Sequence, residues 1–402
     1  MESKCGAVIL AGGQGSRFGG ANKAELFCQG ESFLNRIKRE LDMLGLPCFF
    51  SAGKYPPPRE PGLEAIADLP VAGADGPIGP MGGILSCFEK TRCDLLFFLS
   101  CDLPLFHRQM AQLLMERWKP GVDAVVWRTR SGRIQPLCGL YSRSCLPALR
   151  ECAQSGNYRL MHFLDQISCT VVDTAEAQIP DFWFYNVNSP EALRALEAFC
   201  PPVLAVSGTK NTGKTTLLEK LVSSLTAHGI RAAVIKHDGH DFEADVPGTD
   251  SYRMKAAGAI GTVVYSDRRY MAVKEQSGLR AADFFSLFPE ADLILLEGQK
   301  NSAYPKLELI RQGAGEEKQG ASEGRPGAGE GKPAPCAKTV CPPETVLAYV
   351  TDIVDSEGRP SLAGVAGPRA DVPVLAYGET DRILALVVEF MDGQAKRGGL
   401  KL

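Results

Sequence analysis

No run of about 18 apolar residues occurs in the chain, so no segment has the length to span a bilayer as a helix. The opening Met1-Glu2-Ser3-Lys4-Cys5-Gly6 lacks the apolar core and cleavage site of a secretory signal, and the expectation is a cytoplasmic protein without a membrane partner. Charge of one sign is also lacking. Lys plus Arg number 44 and Asp plus Glu 47, a net charge of -3, whereas general nucleic-acid affinity needs a basic face. Only a local basic pocket stays open. The 13 cysteines include no C-x-x-C pair, and 13 is odd; Cys336 and Cys341 are spaced C-x4-C in a low-complexity stretch. They read as reduced thiols rather than a disulfide framework.

What is present is ordinary globular composition: 402 residues, 45% hydrophobic and 23% charged. At roughly 100–200 residues per domain this length predicts two or three domains. Two segments read as starts of α/β domains: Ala7-Val8-Ile9-Leu10 before a glycine loop, and Val203-Leu204-Ala205-Val206-Ser207 before Gly208. Pro201-Pro202 makes a joint, giving domains 1–200 and 201–402. Strands are expected at Cys48–Ser51, Leu95–Ser100, Ala124–Trp127 and Phe184–Val187, alternating with helices near Ser32–Leu44, Ile84–Lys90, Arg108–Trp118 and Pro190–Phe199. That alternation predicts a Rossmann-like, mainly parallel sheet covered on both faces. In the second half, strands are expected at Ala232–Ile235, Thr262–Tyr265, Leu293–Leu296 and Val346–Val350, with a helix from the glycine loop to about His228 and Gly229 at its end. Residues 312–345, rich in Gly, Pro, Ala, Glu and Lys, cannot bury enough apolar surface to offset ordering and read as a disordered insertion. A last helix is expected at Thr380–Met391.

The first glycine loop runs from Leu10 through Ala11, Gly12, Gly13, Gln14, Gly15 and Arg17 to Lys23. Its glycines let backbone N–H groups approach phosphates, and Arg17 and Lys23 can neutralise phosphate charge. The dinucleotide fingerprint fails here, because Phe18 stands where its third glycine belongs. Asp102 ends an apolar strand, the place where an open α/β sheet faces its ligand, and one such carboxylate plus phosphate oxygens suits Mg²⁺. Gly76-Pro77-Ile78-Gly79-Pro80 can bring backbone close to a base or ribose, with Asp68 and Asp75 upstream. Asn186-Val187-Asn188-Ser189-Pro190 combines a helix start with Asn186, a candidate for orienting substrate.

As a set, these residues resemble the molybdenum cofactor guanylyltransferase family over about residues 5–200. The resemblance implies a nucleotidyltransferase in which Leu10, Ala11, Gly12 and Lys23 contact GTP, Asp102 holds Mg²⁺, and Asp68 is a further nucleotide contact. Asn22 replaces the acid usual before the lysine, and Phe18 the usual Met. Related cytidylyltransferases tend to carry A-A-G, so Ala11-Gly12-Gly13 favours guanine. A cytidylyl- or sugar-nucleotidyltransferase remains an alternative, as does a nucleotide-binding cofactor carrier without transferase activity.

The second loop, Gly208-Thr209-Lys210-Asn211-Thr212-Gly213-Lys214-Thr215, matches G-x-x-x-x-G-K-[ST] between strand and helix, the context that gives this P-loop pattern meaning. Its backbone, from Gly208 through Asn211, Thr212 and Gly213 to Thr216, would cradle phosphates; Lys214 would reach the outer ones and Thr215 would bind Mg²⁺. Glu297, ending an apolar strand, would act on the same ion directly or through water. Asp245 and Asp250 could instead form a metal-sensing loop. His237-Gly239-His240 gives an H-x-x-H spacing, but with no cysteine nearby a phosphate contact by Lys236 is preferred to zinc. No N-K-x-D guanine reader follows this loop, so base choice is not legible there.

Gly208–Thr216, Lys236-His237, Asp250–Arg253, Glu297-Gly298 and Pro305-Lys306-Leu307-Glu308 resemble the molybdopterin-guanine dinucleotide biosynthesis adaptor family over about residues 202–311, resuming at 346–391. That resemblance implies a GTP-binding domain with at most weak GTPase activity, often dimeric, assisting the transferase. The whole chain thus looks like a fusion acting on GTP and molybdenum-loaded molybdopterin, with molybdoenzyme apoproteins or their chaperones as further partners.

Overall fold

The computed structural model describes residues 4–11, 18, 23–28, 31–53, 62–71, 76–238, 242, 244–312 and 337–402. Gly12, Gly13, Arg17, Asp75 and His240 lie outside the described residues, as does most of the expected insertion. Its last part, 337–345, is inside and is part of the fold. Lys338 bridges Ala366, Cys341 is buried, and Pro343–Thr345 forms a short helical turn.

The chain divides into two compact units, one of Met1–Pro202 with Ser223–Ile230 and Asp381–Leu402, the other of Val203–Val222 and Arg231–Thr380. The helix Thr380–Arg397, expected in the second domain, therefore groups almost wholly with the first unit. There Asp392 accepts from the Phe182 backbone N–H at 3.1 Å and from Arg130 Nη1 at 2.9 Å.

The first unit is built on a seven-stranded sheet in the order Leu63–Ile66, Cys48–Ser51, Cys5–Leu10, Leu95–Ser100, Ile134–Ser142, Ala124–Arg128, Cys169–Asp173. The pairs flanking Ile134–Ser142 are antiparallel and the others parallel. Ala7–Ile9 and Leu96–Leu99 are fully buried, as expected of strands covered on both faces. Ile134–Ser142 is hidden in the sequence by Pro136, which a central ladder rejects; the register shift between Val126 and Trp127 accommodates it.

Two sequence expectations are corrected in this unit. Phe184–Val187 is not a strand: Asp181–Phe184 is a helical turn, and the segment reaches the sheet through the Val187 N–H bond to the Asp102 carbonyl at 2.9 Å. The helix expected from Ile84 begins a turn earlier, at Pro80, because proline suits the first helical position and Gly79, at φ 69°, supplies the preceding bend.

The second unit carries a six-stranded sheet, all parallel, in the order Ala232–Lys236, Leu293–Glu297, Val203–Gly208, Lys306–Ile310, Val346–Thr351, Val374–Ala376. The expected strand at Thr262–Tyr265 does not join it; Gly261–Tyr265 pairs only with Tyr270–Lys274 in a separate hairpin. Lys306–Ile310 escapes a hydrophobicity reading because two charged residues are buried in it. Lys306 Nζ donates to the Ser302 and Tyr304 carbonyls at 2.5 and 2.6 Å, and Glu308 Oε1 accepts from the Cys341 N–H at 3.1 Å.

Candidate active site and P-loop

Strand Cys5–Leu10 and its neighbours end level with one another, Leu10 opposite Ser51 on one side and Ser100 on the other. Beyond Ser100 the chain turns at Cys101-Asp102, on the carboxyl edge where open α/β sheets bind ligands. Ala11 is tied there by its N–H to the Ser51 carbonyl at 2.9 Å, and the Cys101 N–H bonds the Leu10 carbonyl at 3.0 Å.

Asp102, 8% exposed, is held from several sides. Its Oδ1 accepts from Ser100 Oγ at 2.6 Å and from Asn186 Nδ2 at 3.0 Å. Its Oδ2 faces Lys23 Nζ at 2.9 Å, and the same ammonium also donates to Asn188 Oδ1. Lys23 is brought in by the turn Lys23–Glu25, whose Ala24 is buried. Of the expected residues, Lys23, Asp102 and Asn186 thus form one group. Ser100 and Asn188 complete it and went unassigned in the sequence. The one local clue is the paired spacing, Ser100 and Asp102, Asn186 and Asn188.

Asp68 lies apart. Its strand ends three places along the sheet from that of Asp102, about 14 Å at the usual strand separation. Ser51 Oγ donates to Asp68 Oδ1 at 3.3 Å, while burial holds its carboxyl above the ordinary aspartate range. Helix Pro80–Lys90 packs close over this part of the edge. A Cβ on Gly83 would meet Ser51 Oγ at 2.7 Å and Leu10 Cδ2 at 2.9 Å, so any larger residue would push these side chains aside.

In the second unit, Gly208 has φ 150° and a Cβ there would lie 2.6 Å from the Leu309 carbonyl oxygen. Asn211 and Gly213 also have positive φ, 64° and 85°, which gives the loop its curl. Buried Thr212 braces it from inside, its Oγ1 donating to the Thr209 carbonyl at 3.0 Å. Lys214 Nζ folds back onto the Thr209 carbonyl at 2.6 Å; burial, more than its neighbouring charges, lowers its pKa. Thr215 and Thr216 are exposed at the start of the helix Lys214–Ala227. Thr215 Oγ1 donates to Glu297 Oε1 at 2.9 Å, and Lys236 Nζ is 3.7 Å from Glu297 Oε2. Asp245 Oδ1 accepts from Val246 N, Thr249 Oγ1 and Ser251 Oγ, tying down the entry to the helix Asp250–Ala256, and these bonds, that of Ser251 first, keep its pKa low. Asp250 is exposed, with Arg253 Nη1 3.6 Å from its Oδ1.

Among the described residues no group of three or more His, Cys, Asp or Glu could hold a metal. Mg²⁺ commonly takes one or two carboxylates together with ligand phosphate oxygens. The hard oxygens of Asp102, and of Thr215 with Glu297, suit Mg²⁺ in that arrangement.

Two family patterns match the chain. Residues 7–171 match one described as MobA-like NTP transferase domain, and residues 203–325 one described as molybdopterin guanine dinucleotide synthesis protein B. The chain is 43% identical over 119 residues to a molybdopterin-guanine dinucleotide biosynthesis adapter protein of Escherichia coli, covering 28% of this chain and 68% of that protein. It is 30% identical over 195 residues to a molybdenum cofactor guanylyltransferase of Pseudomonas putida, covering 47% of this chain and 96% of that protein. A crystal structure of molybdopterin-guanine dinucleotide biosynthesis protein A from Archaeoglobus fulgidus aligns with 48% of this chain and 96% of its own, at 20% identity and a TM-score of 0.40.

Proposed function

The chain belongs to the molybdenum cofactor guanylyltransferase family through its first half and to the molybdopterin-guanine dinucleotide biosynthesis adapter family through its second, and on that premise we propose a single reaction with a built-in assistant. The first unit transfers GMP from GTP to molybdenum-loaded molybdopterin. A terminal phosphate oxygen of the pterin attacks the α-phosphorus of GTP, the α–β bridging bond breaks, and pyrophosphate leaves with its electron pair.

The observation that carries this reading is the Lys23–Asp102 pair with Ser100, Asn186 and Asn188 around it at the carboxyl edge of the sheet. Lys23, with Arg17 from the loop outside the described residues, neutralises charge on the phosphates as the bridging bond lengthens. Asp102 holds Mg²⁺, which supplies Lewis-acid polarisation of the phosphates when bound. Asn186 orients the incoming substrate. Leu10, Ala11, Gly12, Gly13 and Asp68 contact the nucleotide. Positioning and charge neutralisation carry the rate, since phosphoryl chemistry asks little covalent help of the protein.

The second unit binds GTP on its P-loop, with Gly208, Asn211, Thr212, Gly213, Lys214 and Thr216 on the phosphates and Thr215 and Glu297 on Mg²⁺. Joining it to the transferase raises the effective concentration of each near the other. It also supplies a dimer contact: the hairpin exposes Val263, Tyr265 and Tyr270, and a lone two-stranded hairpin is marginal in water. Among the described residues no helix is long and apolar enough to cross a membrane.

The test is incubation with Mg²⁺, molybdenum-loaded molybdopterin and either GTP or CTP, followed by mass analysis of the product and a pyrophosphate assay. The guanine dinucleotide with matching pyrophosphate supports the reading. A cytosine dinucleotide assigns the other base, and nucleotide binding with no pyrophosphate makes the protein a carrier.

A further inference from the structure

Three neighbouring strands on one side of the P-loop are followed by three residues of which the first, Arg311, contacts the other two. Lys306–Ile310 is followed by Arg311, Val346–Thr351 by Asp352, and Val374–Ala376 by Tyr377. All three strands run parallel to the P-loop strand Val203–Gly208, so Arg311, Asp352 and Tyr377 stand on the same carboxyl edge as the phosphate cradle. Arg311 Nε donates to Asp352 Oδ2 at 2.7 Å. The Arg311 guanidinium lies 5.5 Å from the centre of the Tyr377 ring, and Lys220 Nζ lies 4.8 Å from it. Tyr377 is fixed at both ends, its hydroxyl donating to the Gly213 carbonyl at 3.1 Å and its N–H to the Thr351 carbonyl at 2.9 Å. The trio is thus anchored to the P-loop itself, while the Asp352 carboxylate stays 37% exposed.

We infer that this trio is the base-reading subsite of the P-loop unit and that Asp352 selects guanine. The strand ending in Asp352 lies two places from the P-loop strand, roughly 10 Å away at ordinary sheet spacing, which leaves room for a ribose between phosphates and base. An ionised aspartate offers acceptors only. Guanine presents to such a group two parallel donors, its N1–H and its N2 amino group. Adenine presents an unprotonated ring nitrogen at the corresponding place, which a carboxylate repels. The present partner of Asp352 has matching chemistry: the guanidinium of Arg311 is a planar N–C–N donor group, as is the N1–C2–N2 edge of guanine. Tyr377 and Arg311 then offer flat faces against which a base can stack. This assignment deepens the reading of the second unit as a GTP-binding P-loop domain and rests on it. It also explains how guanine can be read without an N-K-x-D segment.

The experiment uses the full chain and Mg²⁺, with ribose-labelled fluorescent GTP, xanthosine triphosphate and ATP. The quantity read is the binding lost in Lys214→Ala, which separates the P-loop from the transferase site. In the wild-type chain this component should prefer GTP to ATP and to xanthosine triphosphate. Asp352→Asn replaces an acceptor by an amide donor, which matches the C2 carbonyl of xanthine. The expected result is a loss of GTP affinity of about tenfold or more with a gain of similar size for xanthosine triphosphate, the scale on which a bidentate contact discriminates. Asp352→Ala should weaken GTP without the gain. Lys214-dependent binding whose base preference is unmoved by either variant would overturn the inference and leave the P-loop reading standing. No Lys214-dependent binding at all would overturn both.

Discussion

Lys23 Nζ stands 2.9 Å from Asp102 Oδ2, so the lysine expected to meet phosphate and the carboxylate expected to meet metal are each other's partner. The two side chains are 15% and 11% exposed, close enough to the interior for the pair to matter. Because Ser100 and Asn186 both hold Oδ1, Oδ2 is the oxygen left to Lys23. Lys23→Ala and Asp102→Ala should each lower pyrophosphate release by a factor on the order of 10² to 10³, the usual size for removing a charge-stabilising group. Lys214-dependent GTP binding should stay at the wild-type level in both. Full transferase activity in either variant would remove these residues from the site.

Ser100 should act through Asp102. Its Oγ reaches Oδ1 at 2.6 Å from two residues away, so Ser100→Ala frees the carboxylate to rotate. The expected outcome is an apparent Mg²⁺ requirement raised about tenfold, the penalty typical of losing an outer-shell partner. Ser100→Thr should restore it. A Mg²⁺ titration of initial rates, paired with Mn²⁺ binding followed by electron paramagnetic resonance, reads both effects.

How legible all this was in the sequence depended on how local each feature is. The P-loop is a contiguous pattern, and Asp102 follows an apolar strand directly, so both could be placed. Ser100 and Asn188 take their meaning from Lys23 and Asp102, partners brought close only by the folded sheet. Strand Lys306–Ile310 reads as surface until Ser302, Tyr304 and Cys341 are seen to satisfy its buried charges. Phe184–Val187 has the aromatic and branched residues of a strand, yet Pro180 and the helical turn after it leave it tied to the sheet edge by the Val187 N–H and the Asn186 side chain rather than by a ladder. Apolar pattern locates burial better than it locates ladders.

Glycine positions give a sharper steric test. In Gly83→Ala the new methyl would meet Ser51 Oγ at 2.7 Å and Leu10 Cδ2 at 2.9 Å, displacing the groups that support Asp68 and the nucleotide loop. Overpacking of this kind costs about 1–3 kcal/mol. The midpoint of urea unfolding should fall, and KM for GTP should rise more than kcat falls. Gly208→Ala, with its Cβ 2.6 Å from the Leu309 carbonyl, should abolish Lys214-dependent binding and leave transferase kinetics unchanged.

Thiol reactivity should follow burial. Cys200 is exposed, whereas Cys101, Cys138 and Cys145 are buried and their thiols pushed up by desolvation. Brief iodoacetamide treatment of the native chain near neutral pH, read by peptide mass spectrometry, should modify Cys200 and spare those three until denaturant is added. Labelling of Cys101 at the rate of Cys200 would mean that the turn before Asp102 opens readily.

The stability of the first unit should carry a pH signature from Asp392. Two carboxylates, Asp181 and Asp392, share the Arg130 guanidinium at 3.3 and 2.9 Å, leaving one negative charge uncompensated in a buried place. Burial outweighs the pull of Arg130 and raises the Asp392 pKa from 3.8 to about 6. A carboxyl whose folded pKa is raised binds its proton more tightly in the folded state. Its stabilising contribution is full below the unfolded value and is lost as pH rises through about 6. The shift corresponds to at most about 3 kcal/mol between the two limits. Asp392→Asn keeps an acceptor for the Phe182 N–H and removes the surplus charge. Its melting temperature should match the wild-type value below the unfolded pKa of 3.8, already exceed it near pH 5, and exceed it fully near pH 8, by a few degrees. A variant that instead loses stability at pH 8 would show that the Arg130 ion pair outweighs the cost of burying the second carboxylate.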